Sequence, residues 1–111
     1  MSTIFEKYER EANIKQTVRK WLREWGFYVF PSTPTGIGAS TVDDICCIYG
    51  FFVAIEYKST GKQPTARQKL IMGAIERAGG IAIWGDSAGS IIHQISTHPK
   101  IKIELDKITI S

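Results

Sequence analysis

The sequence predicts an α/β domain whose elements run α-β-β-β-α-β, and three features carry that expectation. An amphipathic segment opens the chain, two apolar runs follow around a short turn, and a second helical stretch leads into another apolar run. At 111 residues the chain has room for one domain, residues 1–111, with a single core.

The first helix is expected over residues 5–25. Ile14, Val18, Trp21, Leu22 and Trp25 recur at spacings of three and four, which gives one apolar stripe. Lys15, Arg19, Lys20 and Arg23 fall largely off it. Gly26 supplies a C-cap, and Phe27-Tyr28-Val29-Phe30 reads as a short buried strand. Residues 31–40 (PSTPTGIGAS) form a polar loop. Strands over 42–48 and 51–58 then meet near Tyr49-Gly50. Both are apolar on both faces, so the hairpin should be central in the sheet and covered on each side. A helix over 65–78 closes at Gly79-Gly80, and Ile81 to Trp84 is a strand. The element over 88–96 is short and could be helix or strand. The tail, 101–110, alternates apolar and polar residues and reads as strand-like, with a turn or bulge at Asp106-Lys107.

Composition removes several classes of function. No apolar run is long enough to span a bilayer. The charged start MSTIFEKYERE lacks a signal-peptide core, so a cytoplasmic protein without membrane partners is expected. Cys46 and Cys47 are neighbours in an apolar run, which suits two buried small residues better than a disulfide or a zinc site. His93 and His98 have no ligand spacing, and Gly36-Ile37-Gly38 lacks the third glycine of a dinucleotide fingerprint. Net charge is +3, from 14 Lys and Arg against 11 Asp and Glu. With Glu11, Asp44 and Glu56 committed to metal, eight acids remain and the rest of the chain stands at +6, a surface suited to a polyphosphate partner.

The chemistry concentrates in DDICCIYGFFVAIEYK, residues 43–58. Glu56 and Lys58 are two apart on a strand, so both side chains leave the same face. A three-residue loop at Tyr49-Gly50-Phe51 would put Asp44 opposite Glu56, whereas a two-residue turn would put Asp43 there. Either way two carboxylates and an ammonium meet in an apolar sheet, an arrangement that costs several kcal/mol, roughly, for each uncompensated charge. A divalent cation compensates it, and few hard oxygen ligands suit Mg²⁺ or Mn²⁺. A lone E-x-K occurs by chance in most chains; here the apolar run before it and the Asp across the hairpin give it weight. Glu11 extends the stripe of the first helix toward the core, and an acid is also favoured by the dipole in a first turn. Gln68 closes a capping box with Thr65 and also lies on the core-facing stripe, two roles that look incompatible in one rotamer. Lys62, Arg67 and Lys69 crowd the start of the second helix and, with Arg19, are the candidate nucleic-acid contacts.

These strings together resemble the VRR-NUC nucleases, a branch of the PD-(D/E)XK restriction-endonuclease-like superfamily, and most of all its stand-alone virus- and bacterium-type members. The likeness runs from Glu11 to His93 through WLREWGFYVFP, TGIGAS, DDICC, FFVAIEYKS, TARQ and AGGIAI. It implies a restriction-endonuclease-like core, a central mixed sheet flanked by helices. It also implies an Mg²⁺- or Mn²⁺-dependent endonuclease with Asp44 as first acid, Glu56 and Lys58 as the E-x-K pair, and Gln68 and Glu11 completing the set. The family usually has Pro before the first Asp, and on this alignment Asp43 stands in its place, which makes Asp43 a rival to Asp44. The resemblance further implies branched or duplex DNA, four-way junctions above all, as substrate. It implies a homodimer as well, acting in the cytoplasm and in a virus-encoded case that of the host. Trp84, Ile91-Ile92 and the alternating tail suit an interface and suit the core equally.

Overall fold

The computed structural model describes residues 8–32 and 42–110; the expected helical start before Tyr8 and the glycine loop TGIGAS lie outside them. Helix α1 (Glu11–Glu24) leads to strand β1 (Tyr28–Pro31), then β2 (Asp44–Ile48), β3 (Phe51–Tyr57), α2 (Ala66–Arg77), β4 (Ile81–Gly85), α3 (Ala88–Thr97) and α4 (Pro99–Ile110). The four strands form one sheet in the order β1-β2-β3-β4. The first three are antiparallel neighbours, while β3 and β4 run parallel, joined through α2. This is the expected mixed sheet.

Alternation along the strands divides the sheet into two faces. One carries Val29, Cys46, Ile48, Val53, Ile55, Tyr57, Ile81 and Ile83 into the main core. Helix α1 lays Ile14, Val18 and Leu22 on it, all fully buried. Each of these side chains contributes about 1.5–3 kcal/mol by leaving water. Helices α3 and α4 add Ile91, Ile95 and Ile101 to the same core. After α1 the chain reverses at Gly26, whose φ of 83° admits the two closing bonds Gly26 N–H to Arg23 and Phe27 N–H to Leu22.

Among the described helices α2 covers the other face, packing Met72, Ile71 and Ile75 on Ala54, Ala82 and Trp84. The cover stops short of the β1–β2 side. Tyr28, Phe30 and Phe52 remain 68%, 55% and 49% exposed, and Cys47 is exposed as well. The hairpin is therefore not covered on both faces, and only Cys46 of the two cysteines is buried.

The hairpin takes one of its two expected registers, and the tail departs from expectation. Tyr49 and Gly50 both have positive φ, 51° and 84°, so the hairpin closes in a two-residue turn and Ile48 pairs with Phe51. The strand-like tail is instead helix α4. It begins with Pro99 in the first turn, and the His98 ring accepts the Lys100 N–H at 3.2 Å. Ile101 is buried and Leu105 half-buried, four apart on one helical face, while Lys102–Asp106 and Glu104–Lys107 pair at i,i+4 and i,i+3. The short element of open type is α3, capped by the Ser87 hydroxyl accepting from Ser90 N–H. Among the described residues no helix is long and apolar enough to cross a membrane.

Candidate metal and nuclease site

The hairpin register determines which aspartate can meet Glu56. With a two-residue turn, Asp44 is opposite Ile55, and Asp43 comes opposite Glu56 one step further on. Asp44 therefore points into the α1 face, away from Glu56. This corrects the expected Asp44–Glu56 pairing: the rival register is the one present.

Asp44 is fully buried and fully engaged. Arg19 of α1 grips it with two nitrogens, Nε to Oδ2 at 2.8 Å and Nη2 to Oδ1 at 2.7 Å. The Tyr57 hydroxyl donates to Oδ2 at 2.6 Å. Hydrogen bonding to Asp44 holds the Arg19 guanidinium even further above neutrality than usual. Burial, then the bond to Asp44, keeps the Tyr57 phenol protonated. Arg19, expected as a nucleic-acid contact, instead turns inward to neutralise a buried carboxylate.

On the α2 face the balance is different. Glu56 is 2% exposed, and its Oε1 is buried with no hydrogen-bond partner among the described residues. Its Oε2 accepts from Gln68 Nε2 at 2.8 Å and lies 3.8 Å from Lys58 Nζ. Asp43 anchors against the strand end, its Oδ2 accepting the Tyr57 backbone N–H at 2.8 Å. Burial pushes the Glu56 carboxyl up to about 8, and the Asp43 carboxylate within hydrogen-bonding reach pushes the same way, while Lys58 pulls it down. Glu56 therefore holds its proton more firmly than an ordinary carboxyl does.

Gln68 fills both of its expected roles at once. Its Oε1 accepts the Thr65 N–H at 2.8 Å while Thr65 Oγ1 accepts the Gln68 N–H, and its Nε2 reaches Glu56. The two roles are compatible because the amide oxygen serves the cap while the amide nitrogen serves Glu56. Glu11 opens α1, where its backbone N–H donates to Ser59 Oγ at 2.9 Å. Its charge reaches Glu56 as a minor upward influence. Among the described residues no three acids, cysteines or histidines gather as a ligand cluster, so Glu11 does not join the pair as a third close carboxylate. Lys62, Arg67 and Lys69 are exposed around the start of α2.

The donor set fits a hard divalent ion. Two carboxylates, one bearing an unpartnered buried oxygen, suit Mg²⁺ or Mn²⁺, which keep several waters and take few protein ligands. Sequence reasoning undervalued Asp43 and missed Tyr57. Ile48-Tyr49-Gly50-Phe51, with Gly at the second turn position between two strands, was the signal for the shorter turn.

No family model and no curated protein matches the sequence. Solved structures do match. A "VRR_NUC domain" that is 15% identical superposes with a TM-score of 0.68, over 79% of this chain and 96% of that one. A "VRR_NUC domain protein" that is 21% identical gives a TM-score of 0.68, over 86% of this chain and 92% of its own. The fold of this chain is that of the VRR-NUC domain.

Proposed function

We propose that this VRR-NUC-fold chain is an Mg²⁺- or Mn²⁺-dependent DNA endonuclease whose ion is held by Asp43 and Glu56. The supporting observation is the buried, partnerless Oε1 of Glu56 beside Asp43. Lys58 and Gln68 answer only the other oxygen; a buried carboxylate oxygen left without a partner is costly, and a cation offsets that cost. When bound, the ion supplies charge neutralisation at the scissile phosphate and lowers the pKa of water. Lys58, on the same face as Glu56, contacts the phosphate or orients the attacking water. Gln68 fixes the Glu56 rotamer, and Glu11 acts through the water shell. Lys62, Arg67 and Lys69, beside an α2 N-terminus, give the DNA backbone a cationic approach.

The substrate is a branched duplex, a four-way junction in the first instance, cut by a homodimer in the cytoplasm. Two-fold symmetry in the enzyme matches two symmetric cuts. The exposed face of Tyr28, Phe30 and Phe52 suits the dimer contact better than Trp84 and Ile91-Ile92, since Ile91 is fully buried and Trp84 and Ile92 are half-buried. Labelled four-way junction, flap and linear duplex, each with Mg²⁺, Mn²⁺ or EDTA, test the reading. Metal-dependent cleavage of the junction alone is the expected result. Cutting of all three makes the enzyme a less selective nuclease, and binding without cleavage in either metal overturns the nuclease reading.

A further inference from the structure

We propose that Arg19, Asp44 and Tyr57 form a positioning cluster that acts through Tyr57 to hold Asp43 in place as a metal ligand. The inference rests on the reading of Asp43 and Glu56 as the ion's ligands.

Tyr57 is the link between the two faces. Its phenol donates to Asp44 on the α1 side, while its backbone N–H donates to Asp43 Oδ2 on the other. Asp43 and Asp44 are consecutive, so one residue of β3 clamps both members of the pair from across the hairpin. That clamp sits where the β2–β3 ladder ends, since the last paired residues are Asp44 and Ile55. Beyond that point regular sheet bonds no longer fix Asp43, and the Tyr57 N–H takes over. On its other side, the Ser32 N–H donates to the Asp43 carbonyl at 2.9 Å, so backbone and carboxylate are held separately.

The Asp44 end needs a counter-ion to stay buried, and Arg19 provides it with two parallel bonds. Both side chains of the β-strand partners are buried: Asp44 and Tyr57 are fully inaccessible. Lys15 Nζ lies 5.8 Å over the Tyr57 ring and adds a second α1 contact to it. A buried ion pair of this kind adds little net stability compared with apolar side chains of similar size. Its consequence here is geometric: with phenol and backbone both bonded, Tyr57 cannot shift without moving Asp43. A ligating carboxylate oriented by an outer hydrogen bond typically gains about 10- to 100-fold in metal affinity from it.

The test is calorimetric Mn²⁺ binding to DNA-free protein, paired with thermal melting, for Tyr57→Phe, Arg19→Met with Asp44→Leu, and Asp43→Asn. The double substitution replaces the ion pair by apolar groups, so it keeps the fold testable if a single substitution unfolds the protein. Tyr57→Phe and the double variant are expected to weaken Mn²⁺ binding about tenfold, with metal-free melting of the double variant lowered only slightly, by the Tyr57 hydroxyl it leaves without an acceptor. Cleavage by both should show a lower kcat with KM for DNA unchanged. Wild-type Mn²⁺ affinity in both, alongside impaired binding by Asp43→Asn, would overturn the positioning role and leave the metal site intact. Wild-type affinity in Asp43→Asn as well would instead remove the metal site on which the proposal stands.

Discussion

Asp43 and Asp44 are neighbours in the chain yet occupy opposite chemical situations. Asp44 is buried among partners that satisfy both of its oxygens, two bonds from Arg19 and one from Tyr57. Asp43 faces another carboxylate, Glu56, whose Oε1 has no partner among the described residues. The first face of the sheet closes its electrostatics internally and therefore reads as architecture. The second gathers two acids around one lysine and leaves a buried carboxylate oxygen without a partner, and such a gap is what a cation fills. A carboxylate's exposure says little about its role; whether its charge is already answered says much more.

Substitutions at the two aspartates should therefore fail in different ways. The largest effect is expected from Asp43→Ala or Glu56→Ala: metal-dependent cleavage falls by at least about a thousandfold, on the scale of losing a principal electrostatic element, while DNA binding in a gel-shift assay persists. Asp44→Ala should act first on the fold. It strands the Arg19 guanidinium, and removing one member of a buried pair costs about 3 kcal/mol, readable by urea unfolding. Asp44→Ala at full stability with abolished metal binding would erase the contrast between the two faces.

A smaller effect follows from pH. The Glu56 carboxyl has an ordinary value of 4.5 and is pushed up to about 8 in the folded protein. The folded chain thus holds a proton that the unfolded chain releases. The stability this confers is complete below about 4.5 and is lost as pH rises toward about 8. Melting in EDTA should decline over that window, and Mn²⁺ should restore it most strongly near pH 8, with a proton released on binding below it. The smallest effect is expected at Gln68→Ala, which removes one arm of the capping box and the Glu56 bond. About 1 kcal/mol of stability and a modest loss of Mn²⁺ affinity should be seen by melting and calorimetry.

The sequence disclosed some of this more readily than the rest. Ile14, Val18 and Leu22 reported the buried face of α1 because helical periodicity is local, and Glu56 and Lys58 shared a face because strand alternation is local. The hairpin register was harder. It turned on Tyr49 adopting a left-handed conformation at φ 51°, which a tyrosine seldom signals in advance. That single residue decides whether Asp43 or Asp44 meets Glu56. The Arg19–Asp44 bond joins residues 25 apart in the chain and has no local signature. The tail misled because Ile101, Ile103 and Leu105 alternate like a strand, whereas Ile101 and Leu105 also lie four apart on a helix whose turns are tied by Lys102–Asp106.

The place of a divalent ion separates the two faces most directly. A crystal grown with Mn²⁺, measured for anomalous scattering at the manganese edge, should show one peak per chain on the α2 side of the sheet, coordinated by Asp43 and Glu56 with Asp44 still bound to Arg19. A peak ligated by Asp44, or a fully occupied one that leaves Glu56 uncoordinated, would contradict it.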